Sequence, residues 1–209
     1  MATPSACKST YRMTDTWNEH ADGWDNNPDV KFYANQAFAS LVAITDICGP
    51  GWASKRVLDF GCGTGLLAQK VARYVGELIA VDTSEKMIAV LENKHISNVI
   101  AVHGDILATD HRCEVDFQSG VDLIYASSVC GFLPDYEGAM LALARLLRPG
   151  GRFIQWDWRA SDGDDFGLSE NRIRNALQTA KFGSIRVEQA FSIETDEQTL
   201  PVLIGAGVA

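Results

Sequence analysis

The sequence predicts an α/β protein, with a doubly wound, mostly parallel sheet of seven strands, a C-terminal antiparallel hairpin and an N-terminal helical cap. Three observations predict it. Short β-branched or apolar runs alternate with helix-period segments through the middle of the chain, as in strand–crossover–strand units. The first of these runs ends in a turn of alternating glycines. The last two runs are joined by a link too short for a crossover helix, so they pair antiparallel.

Met1 to Thr14 is polar and reads as a loosely docked tail. Trp17 to Asp29 is rich in aromatic residues, Asn and Asp. Pro28 or Asp29 can open a helix, and Phe32, Phe38, Leu41 and Val42 carry its apolar period to Ile47. Gly49-Pro50-Gly51 ends it. These residues, 1–50, form the expected tail and cap, and 51–209 the main domain.

In that domain Arg56 to Phe60 is the first strand, Gly61 to Gly65 a turn, and Leu66 to Tyr74 a helix. Strands at Glu77–Val81, Val99–His103, Val121–Ala126 and Arg152–Trp156 follow, with helices at Lys86–Asn93 and Tyr136–Leu147, the second closed by Pro149-Gly150-Gly151. Ser169 to Lys181 is a further helix. Ile185–Ile193 and Leu200–Gly207 form the hairpin.

Composition narrows the function. With 46% apolar and 22% charged residues among 209, the chain can bury a core. A net charge of −9, with Lys and Arg scattered, repels phosphate backbones and argues against a nucleic-acid partner. The five cysteines, Cys7, Cys48, Cys62, Cys113 and Cys130, are odd in number and widely spaced, which points to reduced thiols and a cytoplasmic protein. No stretch approaches a membrane span, no spacing suggests a metal, and a monomer or homodimer is expected.

The stretch Val57-Leu58-Asp59-Phe60-Gly61-Cys62-Gly63-Thr64-Gly65 runs from a buried strand into a helix. Glycines there allow a sharp turn and close approach of a ligand to backbone at the carboxyl end of the sheet. A dinucleotide loop would place its third glycine at position 66, which is Leu66. Asp82 follows Gly61 by 21 residues and ends the second strand, where a carboxylate can accept both hydroxyls of a ribose. Asp105, after the third strand, can accept from an adenine amino group, with Ile106 and Met87 against the ring.

These segments, with Val81–Ser84, Gly104-Asp105, Val121–Ser127 and Leu147–Phe153, resemble the class I S-adenosylmethionine-dependent methyltransferases, most of all the small-molecule branch related to quinone-biosynthesis methylases. The resemblance implies a Rossmann-like fold and S-adenosyl-L-methionine as cofactor. It implies that Asp59 and the backbone of Gly61 and Gly63 hold the methionine part, with Cys62 and Gly65 in the same loop. Asp82 would hold the ribose, Thr83 and Met87 would flank the adenine, and Asp105 and Ile106 would read its edge. Ala126 or Ser127 would touch the methionine end. The sequence departs from the family after the third strand, at Leu107-Ala108-Thr109-Asp110-His111, and after the fourth, at Val129-Cys130-Gly131-Phe132-Leu133-Pro134, where a histidine pair is common.

The acceptor pocket is expected beyond the strand ends, among Trp17, Trp24, Tyr33, Phe132, Trp156 and Trp158. Candidate catalytic groups are His20 as a base near neutral pH, Asp157 to orient an acceptor, and Tyr136. The expected activity is direct in-line methyl transfer to a small molecule. Two other readings remain open at this stage: a cofactor-binding sensor or partner subunit without catalysis, and a NAD-dependent oxidoreductase.

Overall fold

A computed structural model describes residues 17–108, 115–160, 166–194 and 198–209. The expected tail, Cys7, Cys113, Thr109-Asp110-His111 and the acidic stretch 162–165 lie outside the described residues.

Strands β1 (Arg56–Phe60), β2 (Glu77–Asp82), β3 (Val99–His103), β4 (Val121–Ser127), β5 (Leu147–Trp158), β6 (Gly183–Glu194) and β7 (Thr199–Val208) form one sheet in the order β3-β2-β1-β4-β5-β7-β6. β1 to β5 run parallel, and β7 inserts antiparallel between β5 and β6. The chain winds outward from β1 in one direction and returns to its other side at β4, so the sheet has a topological switch point between those two strands.

Both faces are covered, which is why the central strands read as nearly continuous apolar runs. Helices α1 (Pro28–Thr45), α2 (Ala68–Val71) and α3 (Glu85–Glu92) supply Leu41, Val71, Ile88 and Leu91 to one core, against Val57, Leu123, Tyr125, Ile154 and Trp156. Helices α4 (Tyr136–Leu146) and α5 (Glu170–Thr179) supply Met140, Leu143, Ile173 and Leu177 to the other, against Leu58, Ile124, Ala126 and Phe153. Neighbouring residues of β4 and β5 therefore belong to opposite cores, as the two-residue pleat requires.

Helix α1 starts where the sequence predicts. Asn27 caps it by accepting from the amides of Asp29 (2.9 Å) and Val30 (3.4 Å), with Pro28 in the first turn. It ends at Thr45, before Gly49-Pro50-Gly51, because Asp46 takes a left-handed conformation and its amide returns to the Val42 carbonyl. Its first turns border the site described below, and the rest of its length joins the core.

Two elements differ from expectation. The helix expected over 66–74 is regular only at Ala68–Val71, since Leu67 offers no side-chain cap and Lys70 and Tyr74 donate to carbonyls three residues back. Pro149-Gly150-Gly151 does not close a helix. It lies within β5, which begins at Leu147 and shifts register against β4 between Val121 and Leu123. Gly150 and Gly151 also bond the backbone of Ala209, pinning the end of β7 beside β5.

Gly65 and Gly63 both have positive φ, at 81° and 53°. A Cβ on Gly65 would meet Leu91 Cδ1 at 2.4 Å, whereas one on Gly63 would meet nothing within 4 Å. Gly65→Ala is therefore expected to lower the unfolding free energy by about 2–4 kcal/mol, from left-handed strain plus overpacking. Gly63→Ala should cost about 1–2 kcal/mol, from strain alone. Urea unfolding of the two variants checks the order, and equal losses would refute it.

Candidate active site

A cavity of about 870 Å³ opens at the carboxyl ends of the strands, beside the switch point. That volume lies within the range of roughly 300–1,000 Å³ usual for small-molecule sites. One end is polar and built on the first three strands. The other end is apolar and aromatic.

The polar end begins with the glycine loop. The amides of Gly61 and Cys62 both donate to the Val81 carbonyl, at 2.8 and 2.9 Å, and Gly65 donates to Cys62. The Gly63 amide donates to Asp82 Oδ2 at 2.8 Å, while the Ser84 amide donates to Asp82 Oδ1, also at 2.8 Å. These amides of Gly61 and Gly63 tie the loop to β2 and are not free donors toward a ligand. What Gly61 and Gly63 offer the cavity is bare backbone: both line it, and the space a Gly63 side chain would fill is open. Gly61 is also required sterically, because a Cβ there would meet Val129 Cγ2 at 2.3 Å.

Asp82 is therefore held by one amide on each carboxylate oxygen. Each oxygen keeps a further lone pair, so the group can still accept two hydroxyls. Burial pushes its pKa up, against the opposing pull of the Ser84 and Gly63 amides and of His103. Thr83 and Met87 line the cavity beside it, Met87 almost fully buried. Asp105 lines the wall with one oxygen accepting from the Leu107 amide at 2.9 Å.

Asp59 lies at the centre, 1% exposed, on the cavity wall. Its Oδ2 and the Tyr125 hydroxyl have no hydrogen-bond partner among the described residues. Burial raises its carboxyl to about 8; the nearby Tyr125 hydroxyl opposes that shift, although the two are not aligned as a hydrogen bond, and Asp82 adds to it. An unpartnered buried carboxyl oxygen at a cavity wall is the feature an ammonium group would satisfy.

The aromatic end is a chain of ring contacts. Trp17 meets Trp24 at 5.9 Å and Phe132 at 5.4 Å edge to face. Phe132 meets Phe166 at 5.6 Å, and Phe166 meets Trp158 at 6.4 Å. Tyr33 meets Trp158 at 5.3 Å and Phe191 at 5.1 Å. Between the two ends stand Ser127 and Ser128, the latter at φ 58°. Ser128 Oγ accepts from Trp158 Nε1 at 3.1 Å, and the Tyr33 hydroxyl donates to the Trp156 carbonyl at 3.0 Å.

Residues 17–26 are clipped over this cavity by polar contacts that the sequence did not reveal. Asn18 Oδ1 accepts from the Ser84 hydroxyl at 2.8 Å and the Lys86 amide at 3.1 Å. Asp25 accepts from the Thr64 hydroxyl and pairs with Lys94 at 2.6 Å. Val129, Leu133, Pro134 and Ile193 also line the cavity and were not anticipated. No sequence signal marks them, because each becomes a wall only through packing of distant segments.

Several expected site residues stand elsewhere. Trp156 is wholly buried in the core under α1, its Nε1 donating to Ser40 Oγ at 3.1 Å. Ala126 is also buried, on the α4 side, and Ile106 packs against that core. Gly65 packs on Leu91 and does not line the cavity. His20 is exposed beside Trp17 and Trp24, outside the lining. Asp157 and Tyr136 point to the opposite face of β5 from Trp156 and Trp158, as the pleat dictates. There Asp157, 1% exposed, accepts from the Gly131 amide at 2.8 Å and from Gln155 Nε2 at 2.9 Å, and the Tyr136 hydroxyl donates to Gln155 Oε1 at 2.7 Å. Burial raises the Asp157 carboxyl to about 7. This network supports the loop that carries Val129 and Phe132 from behind. Cys62 does reach the wall, but burial pushes its thiol up, so it is no ready nucleophile.

Residues 58–155 match a family of methyltransferase domains. That stretch is a methyltransferase domain. It is 30% identical over 149 residues to ubiquinone biosynthesis O-methyltransferase of Cupriavidus pinatubonensis, covering 71% of this chain and 59% of that protein. It is 27% identical over 183 residues to sterol 24-C-methyltransferase erg6 of Schizosaccharomyces pombe, covering 80% and 46%. The chain thus spans about half the length of these curated relatives. Among solved structures, magnesium protoporphyrin IX methyltransferase from Synechocystis PCC 6803 with bound S-adenosylmethionine shares the fold, with a TM-score of 0.67 and 20% identity over 98% of this chain and 100% of that one.

The match divides the cavity. Asp59, Asp82, Asp105 and Ser127 fall inside the methyltransferase stretch, whereas Trp17, Trp24, Tyr33, Trp158 and Ile193 fall outside it. The polar end lies within the matched stretch, and most of the aromatic end comes from the segments flanking it.

Asp59 makes the stability of the methyltransferase domain depend on pH in a defined direction. Its folded-state pKa, about 8, lies above the ordinary 3.8. Between those values the folded chain keeps a proton that the unfolded chain releases. The stability Asp59 contributes is complete below about pH 4 and is lost as pH rises through about 8. Urea unfolding from pH 5 to 8 should show wild type losing stability relative to Asp59→Asn, by at most about 1.4 kcal/mol per pH unit. Parallel pH profiles for the two proteins would rule the raised carboxyl out.

Proposed function

We propose that this protein is an S-adenosylmethionine-dependent methyltransferase that transfers a methyl group directly to a small-molecule acceptor. The clamped Asp82 carboxylate carries the reading: two backbone amides fix its orientation, and its remaining lone pairs suit a ribose diol. Asp59 would take the ammonium of the methionine part, Met87, Thr83 and Asp105 would surround the adenine, and Ser127 would border the methionine end. S-adenosylmethionine supplies a methyl group on a positively charged sulfur, which is already a good leaving group.

The chain's own task is then to hold an acceptor in line and keep water out. Correct orientation alone is worth roughly 7–11 kcal/mol in such a reaction. The ring contacts at the aromatic end and the clips at Asn18 and Asp25 suit both tasks. Neither His20, Asp157 nor Tyr136 borders the cavity, so the reading assigns none of them a proton-transfer role.

Leu66 and the tight tie of Gly61 to β2 weigh against a dinucleotide in the same loop. We further propose a cytoplasmic, monomeric or homodimeric protein without a nucleic-acid partner, supported by the net charge of −9 and by free thiols at Cys48, Cys62 and Cys130. No helix among the described residues is long and apolar enough to cross a membrane.

Titration calorimetry with S-adenosylhomocysteine tests the proposal. Wild type should bind it, and Asp82→Ala should weaken binding at least tenfold, about 1.4 kcal/mol. Unchanged affinity in that variant, or tighter binding of NADH, would remove the cofactor assignment. Absence of transfer from a labelled methyl donor to any component of a cell extract would favour a non-catalytic binder.

A further inference from the structure

We propose that Tyr125 is a positioning residue for the cofactor, donating its hydroxyl to the Asp59 carboxylate as an ammonium group docks on the cavity side of that carboxylate. This role rests on the reading of Asp59 as the acid that takes the ammonium of S-adenosylmethionine, and deepens it. Asp59 of β1 and Tyr125 of β4 are register partners in a parallel ladder, so their side chains leave the same face of the sheet side by side. The next residues along that row are Ala80 of β2 and Ile154 of β5, whose side chains offer no hydrogen bond. Both polar groups are buried, Asp59 at 1% and Tyr125 at 0% exposure. Asp59 borders the cavity, whereas Tyr125 is set into the core that α1 covers.

Neighbours in the sheet, the two groups are also the ones left unsatisfied. Asp59 Oδ2 and the Tyr125 hydroxyl have no hydrogen-bond partner among the described residues, and a buried polar atom in that state is costly. A hydroxyl hydrogen turns about its C–O bond, so a small realignment lets Tyr125 donate to the acid beside it. Burial, with Asp59 adding to it, holds the Tyr125 hydroxyl well above its ordinary range, so it keeps the proton it would donate. Burial likewise raises the Asp59 carboxyl to about 8, with Tyr125 opposing and Asp82 of β2 adding. Cys62 of the glycine loop faces the same acids; burial, Asp59 and Asp82 push its thiol up, while Lys94 after α3, paired with Asp25, pulls the other way.

Below about pH 8, therefore, the free protein carries a proton on Asp59. Docking of an ammonium exchanges it. The carboxyl proton leaves to solvent, the carboxylate accepts from the ammonium on the cavity side, and the two together stay neutral. A hydroxyl bonded to a carboxylate favours its charged form, so Tyr125 lowers the cost of that exchange. Affinity for a ligand bearing an ammonium then rises with pH while Asp59 is protonated in the free protein. The rise levels off as pH passes about 8, because the free protein has already lost the proton.

The test uses the full chain, S-adenosylhomocysteine and two matched probes: its deaminated analogue, which keeps the carboxylate, and its decarboxylated analogue, which keeps the ammonium. By calorimetry, wild type should bind S-adenosylhomocysteine about tenfold more tightly at pH 7 than at pH 6. Buffers of different ionisation heat should show close to one proton released per ligand. Tyr125→Phe removes only the hydroxyl. At pH 7 it should weaken S-adenosylhomocysteine and the decarboxylated analogue at least about fivefold, leave the deaminated analogue unchanged, and move the levelling-off to higher pH. A merely structural role would weaken all three ligands alike. That result refutes the proposed role, as does unchanged affinity in Tyr125→Phe or a flat wild-type profile from pH 6 to 7. Difference absorption spectra of wild type need no variant: the tyrosine band should shift to longer wavelength with the two ammonium ligands and not with the deaminated one. Identical spectra for all three refute the role as well. Failure of wild type to bind S-adenosylhomocysteine at either pH defeats the cofactor reading instead.

Discussion

The site depends on one junction, the Asp82 carboxylate gripped by the Gly63 and Ser84 amides. That grip joins the turn after β1 to the end of β2 and orients an acid into the cavity. The Val81 carbonyl reinforces it by taking both the Gly61 and Cys62 amides. Glycine serves two separate purposes in this turn. Gly63 leaves open space for a ligand, while Gly61 and Gly65 let Val129 and Leu91 pack closely. A charged group buried among few cations is costly on its own, so the amides that hold Asp82 also make it tolerable in place.

Around that junction the cavity is assembled from segments far apart in the chain. Residues 17–26 reach across to Ser84, Thr64 and Lys94, while Trp158 and Ile193 arrive from β5 and β6. The insertion of β7 between β5 and β6 places Ile193 and Phe191 opposite Tyr33 of α1. Because Tyr33 also bonds the β5 backbone, one helix both covers the sheet and closes the aromatic end. The buried Asp157–Gln155–Tyr136 network lies behind this wall, where Asp157 bonds the loop at Gly131.

Much of the fold was legible because strand and helix periods are local properties. β1 and β3 fall at the expected residues, and the late hairpin follows from the length of a link. The polar end of the cavity was equally legible, since Asp59, Gly61, Gly63, Asp82 and Asp105 sit at the ends of the first three strands or in the turns after them. The short α2 and the early start of β5 were not legible. Both turn on backbone hydrogen bonds, from Lys70 and Tyr74 in one case and to Ala209 in the other, that no residue type announces.

By itself the sequence determined the architecture, the position of the glycine turn and the acids at the carboxyl ends of the first three strands, because each depends on local periodicity and spacing. Tertiary structure decided which aromatic and acidic residues face the cavity. Alternation along β5 sends Trp158 to the wall, Trp156 into the core beneath α1 and Asp157 to the far face, although the three are consecutive. The reason is physical: a strand fixes only that neighbours point opposite ways, and which of those ways is a cavity depends on what packs above each face.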